Sequence, residues 1–150
     1  MDKIAVFAMS DENEKEVMNY LNSHKDGKID VIDFSKLDDI ENRVTEATKK
    51  ANKSVVVYDA AEGMNRPFSE TVAMLYKRNI KPILVIINSD YTMDVVDAET
   101  SAAEIVAEID PEAQPWDLNF KTLYFSSDTG FANTPAFERR GMDALIEAIQ

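Results

Sequence analysis

The chain has no cysteine, which excludes disulfides, thiol nucleophiles and cysteine-ligated zinc. It has a single histidine, His24, in the stretch His24-Lys25-Asp26-Gly27, so there is no second imidazole for a metal site and no pattern of a serine activated by histidine; a surface turn residue is the expected role. Long apolar runs are missing as well. The longest are about six residues, against roughly 20 for a membrane-spanning helix, and the start of the chain has no signal-peptide core, so a cytoplasmic protein with no membrane contact is expected. Basic residues are outnumbered, 16 to 28, for a formal charge of −12. Such a surface repels phosphate backbones and anionic lipid, which argues against direct nucleic-acid binding.

What is present points to one compact domain over residues 1–150, with 45% apolar content sufficient for a sizeable core. Its centre is the stretch from Val55 to Asn88. Two continuous apolar runs, Val55-Val56-Val57-Tyr58 and Pro82-Ile83-Leu84-Val85-Ile86-Ile87, flank a helix-length segment from about Asn65 to Arg78. Strands buried on both faces lose the alternation of apolar and polar residues, so this reads as a βαβ unit in a parallel sheet.

On the N-terminal side, Lys3 to Ala8 predicts a first strand, and Asp11 to about Asn22 a helix with Asp11 as cap, Glu14 three residues on, and a stripe of Val17, Met18 and Leu21. Lys28 to Asp33 alternates apolar and acidic residues, as suits a sheet edge, and a helix starting at Ser35 carries Leu37, Ile40, Val44, Ala47 and Ala51. Beyond the centre, a helix from near Asp97 to Ile109 stops at Asp110-Pro111, Lys121 to Phe125 is the last strand, Ser126 to Arg140 a long loop, and Met142, Leu145, Ile146 and Ile149 the stripe of a terminal helix. Met18, Met74 and Met142 lie on helix stripes, as core filler does.

Five strands alternating with five helices predict a doubly wound α/β domain, a mainly parallel five-stranded sheet in the order 2-1-3-4-5 with helices on both faces. Ligands of such sheets sit beyond the carboxyl ends of the strands, where the first and third diverge. That directs attention to the loops Met9 to Glu12, Phe34 to Leu37, Ala60 to Met64, Asn88 to Tyr91 and Ser126 to Gly130.

The segments YDAAEGMNRP and LYKRNIKPILVIIN resemble the core of translation-factor GTPase domains, in which a strand runs into V-D-A-x-E-G and a later strand L-K-P-I-x-V-I-N leads into N-K-x-D. Ile4 to Ala8, Val31 to Asp33 and Thr122 to Gly130 resemble the family's first strand, the strand into switch II and the last guanine-contacting motif. The TypA/BipA branch is the nearest resemblance, on the stretch PEAQPWDLNFKTLYFSSDTGFA before the final helix, with elongation factor G next. The resemblance implies a P-loop GTPase-like fold.

The catalytic motifs of that family do not carry over. Its phosphate loop, G-x-x-x-x-G-K-[ST], brings backbone amides and a lysine to the phosphates. Here the corresponding stretch, Ala8 to Glu16, has no glycine and contains Asp11, Glu12, Glu14 and Glu16 beside Lys15. Each like-charge contact at about 4 Å costs on the order of 1 to 4 kcal/mol, so several outweigh one lysine. The D-T-P-G of switch II becomes Asp33-Phe34-Ser35-Lys36; switch I has no room between Leu21 and Lys28; N-K-x-D becomes Asn88-Ser89-Asp90-Tyr91; Ser126 and Ser127 match the last motif.

The reading is a non-catalytic pseudo-GTPase without catalytic residues, bound metal or cofactor, acting on a protein partner or by self-association. One alternative is a divergent GTPase that binds GTP or GDP with magnesium weakly through Lys15, Asp33, Asn88, Ser126 and Ser127. Another is a small-ligand or metal-binding α/β domain using Asp11, Asp33 and Asp59, although a phosphoacceptor receiver would also need a lysine where Ser126 and Ser127 follow Phe125. The loop from Thr129 to Gly141 joins two phenylalanines to an arginine pair in an acidic chain, which makes Phe131, Phe137, Arg139 and Arg140 the candidate interaction anchors; the competing reading is that the two rings cover the sheet edge.

Overall fold

The computed structural model describes residues 2–8, 11–24, 29–32, 39–60, 66–80, 82–87, 93–114, 120–126, 130–132 and 143–149. In chain order the elements are β1 (Asp2–Ala8), α1 (Asp11–His24), β2 (Ile29–Ile32), α2 (Ile40–Lys50), β3 (Lys53–Asp59), α3 (Arg66–Lys77), β4 (Ile83–Ile87), α4 (Met93–Ile109), β5 (Thr122–Ser126), β6 (Gly130–Ala132) and α5 (Asp143–Ile149). One six-stranded sheet holds the strands in the order β2-β1-β3-β4-β5-β6. The pairings from β2 to β5 are parallel, as expected from the sequence, and the uninterrupted Val/Ile runs of β3 and β4 lie at its middle with both faces covered.

The two faces carry separate apolar clusters, because alternate residues of a strand point to opposite sides. Ile4, Val6, Val55, Val57, Val85 and Leu123 meet Val17 and Leu21 of α1 and Leu145 of α5. Ala5, Phe7, Val56, Leu84 and Ile86 meet Val44 and Ala47 of α2, Phe68, Val72 and Leu75 of α3, and Ala102 and Val106 of α4. Helices α1 and α2 therefore lie on opposite faces. Met18 is buried in the first cluster and Met74 packs at the border of the second, while Met142 lies outside the described residues.

Capping fixes where the helices start and stop. Asp39 accepts a hydrogen bond from the Glu41 amide at 2.9 Å, so the described α2 begins at Ile40; Ser35 and Leu37 lie outside the described residues. At the end of α3, Asn79 takes a left-handed φ of 61°, Ile80 N donates to Leu75 O at 2.9 Å and Asn79 N to Tyr76 O at 2.9 Å, a Schellman closure that turns the chain toward β4. Helix α4 starts at Met93, a turn ahead of the expected Asp97, and α1 runs to His24 instead of ending near Asn22. His24 is exposed; its ring stacks on Tyr20 at 4.0 Å, with Nδ1 3.0 Å from Tyr20 O.

The sheet corrects the expected five strands to six. The segment read as loop from Ser126 onward contains β6, antiparallel to β5 with Phe125 opposite Phe131 and Ser126 opposite Gly130. Gly130 has φ 89°, a conformation that costs a side-chain-bearing residue and lets the chain double back. Phe131 is fully buried, with its ring centroid 4.9 Å from Phe125, and Tyr20 meets both rings edge-on at 5.3 and 5.8 Å. An exposed interaction anchor at Phe131 is thus replaced by a core ring that closes the sheet edge.

Truncating so buried a ring leaves a cavity, so Phe131→Ala should cost about 3–5 kcal/mol, a fall of roughly 10 °C in melting temperature. A urea titration checks this. Burial also pushes the Tyr20 phenol above its ordinary value of 10.0. The unfolded chain then gives up that proton more readily than the folded one, so its contribution is intact below pH 10 and declines as pH rises further. Unfolding free energies measured between pH 8 and 11 should show a shallower alkaline decline in Tyr20→Phe than in the native chain.

Candidate functional site

The strand order reverses direction between β1 and β3, and the crevice beyond their carboxyl ends is where a sheet of this type receives ligands. Ala8 ends β1, Asp59 ends β3, and Ala60 N donates to Ile87 O at 3.0 Å, joining the exit of β3 to the end of β4. Only Met9 and Ser10 separate β1 from α1, so the first turn of α1 stands directly over the crevice.

That turn is occupied by contacts with its own protein. Asn13 and Asp59 are both buried, and Asn13 Nδ2 donates to Asp59 Oδ2 at 3.2 Å, which ties the start of α1 to the end of β3. Glu14, 4% exposed, accepts a hydrogen bond from Arg43 Nη1 of α2 at 3.0 Å. The pair is an ion pair with side chains 15% and 5% exposed for Arg43 and Glu14, and it runs over the end of the sheet from the layer of α1 to the layer of α2. A carboxylate in the first turn is also favoured by the positive end of the helix.

Of the expected nucleotide ligands, only Lys15 has a described side chain. Lys15 is exposed on the stripe of Glu12, Lys15, Asn19 and Asn22, away from the buried side of α1 formed by Asn13, Glu14, Val17 and Leu21. Ser126 is the last residue of β5 and pairs with Gly130, with nothing described of its side chain. Asp33, Asn88, Ser127, Phe137, Arg139 and Arg140 lie outside the described residues. Of the three acids weighed for a metal, only Asp59 has a described side chain, and it is held by Asn13. Among the described residues, no three His, Cys, Asp or Glu side chains converge as metal ligands, and no helix is long and apolar enough to cross a membrane.

Sequence reasoning passed over Asn13 and Arg43, two of the described residues at the crevice. Asn13 reads as one polar residue among several at a helix start. Arg43 carried a usable signal: it falls between Ile40, Val44 and Ala47 on the apolar stripe of α2, and a cation on a core-facing stripe calls for a buried anion.

No protein-family model and no curated protein sequence matches this chain. Solved structures do. Translation elongation factor SelB from Methanococcus maripaludis, in its apo form, superposes with a TM-score of 0.61 at 19% identity over 87% of this chain and 32% of that one. The same factor in complex with the GTP analogue GppNHp gives a TM-score of 0.62 at 20% identity over 87% and 30%. The chain thus spans about a third of the length of the factor it matches. At these identities the likeness concerns architecture: the chain has the α/β fold of a P-loop GTPase-like domain, as found in a translation factor.

Proposed function

We propose that this chain is a single-domain pseudo-GTPase: a translation-factor G-domain scaffold, nearest to the TypA/BipA branch, that serves as a cytoplasmic protein-interaction module and neither binds nor hydrolyses GTP. The observation that carries this reading is the buried Glu14–Arg43 pair at the first turn of α1, beside the Asn13–Asp59 contact. A triphosphate there would have to displace a buried carboxylate from its guanidinium, and stripping one partner from such a pair costs about 3–5 kcal/mol before any phosphate contact forms. The surroundings add repulsion, since Glu12 and Glu16 on α1 and Asp39 and Glu41 at the start of α2 flank the same end of the sheet.

A scaffold without nucleotide chemistry acts through its surface. The anchors we propose are Phe137, Arg139 and Arg140, of the aromatic and arginine types that dominate interface energetics, in the segment between β6 and α5. Phe131 is not among them, because it belongs to the core.

Fluorescent GTP and GDP titrated into the protein with millimolar magnesium should give no saturable signal at ligand concentrations up to about 100 μM, the range in which a functional site with micromolar affinity saturates. A dissociation constant of about 10 μM or tighter would refute the proposal. For the surface, the triple variant Phe137→Ser, Arg139→Ala, Arg140→Ala should keep the native melting temperature within about 2 °C, as surface substitutions do. A larger fall would show these side chains to be structural.

A further inference from the structure

The contacts at the start of α1 differ in kind from the ion pairs on the surface. Lys49 and Lys50 reach Glu46 at 3.7 and 3.4 Å with both lysines more than 60% exposed, a geometry that contributes little to stability. Glu14 and Arg43 are withdrawn from water, and each would be strongly unfavourable there without the other. Their position matters more than their strength. Because α1 packs in one apolar cluster and α2 in the other, on opposite faces of the sheet, the packing that fixes one helix does not fix its position relative to the other. The Glu14–Arg43 pair joins the two layers, and Asn13–Asp59 anchors the same helical turn to the sheet between them.

In nucleotide-driven switches, loop segments are ordered by phosphate and magnesium and released when the phosphate leaves. We infer that Asn13–Asp59 and Glu14–Arg43 form a built-in clamp that holds α1, α2 and β3 in one arrangement with no ligand, so that the domain is a one-state scaffold and not a switch. The part of this inference that concerns switching rests on the pseudo-GTPase reading; the clamp rests on the four side chains alone.

Amide hydrogen exchange on the full chain without nucleotide tests the clamp. Arg43→Met leaves the Glu14 carboxylate buried without its cation, and should speed exchange at least tenfold over residues 13–17 and 41–45, while β3 and β4 stay within about twofold of the native chain. Adding Glu14→Gln to that variant removes the uncompensated charge but leaves the tie between the two helices broken, so exchange at both helix starts should stay faster than in the native chain. Unchanged exchange at the two helix starts, an equal loss across sheet and helices, or native exchange in the double variant would each overturn the clamp. If Arg43→Met fails to fold, Asn13→Ala decides: accelerated exchange confined to the first turns of α1 supports the inference, and native exchange there overturns it. GTP binding by the native protein would refute the proposed function, whereas the clamp stands or falls on the exchange rates alone.

Discussion

A buried carboxylate and a partly buried guanidinium, 3.0 Å apart, join the two helix layers over the end of a parallel sheet. Glu14 is favoured by the first turn of α1 and neutralised by Arg43, so the charge of this carboxylate is answered from within the chain. Asn13 does the same for Asp59.

The rest of the architecture delivers these four groups to one place. The parallel pairing of β1 with β2 and β3 puts the starts of α1 and α2 at the same end of the sheet. The two apolar clusters place α1 and α2 on opposite faces, so a contact between their first turns passes over the end of the sheet. At the far side, β6 pairs along β5, and Phe125, Phe131 and Tyr20 pack together on one face there.

The fold was legible in the chain because long apolar runs and helical stripes are local signals. Val55 to Tyr58 and Ile83 to Ile87 announced central strands, and the alternation of Ile29, Asp30, Val31 suited the edge position that β2 occupies. The three-residue strand β6 was not legible: it depends on Gly130 reversing the chain and on the rings of Phe125 and Phe131 meeting, neither of which has a period to detect. At the site, the missing glycines and the clustered acids between Ala8 and Glu16 were visible. The pairing of Glu14 with Arg43 was not, because it joins residues 29 positions apart through a tertiary arrangement.

The most direct measurement is a two-dimensional amide NMR titration of the native protein with GTP and magnesium, followed at Asn13 and Glu14. If the crevice is closed by its own side chains, these two resonances stay in place through millimolar nucleotide. Saturable movement of both, with phosphorus shifts in the nucleotide, would mean that the phosphates reach the first turn of α1 and that the account is wrong.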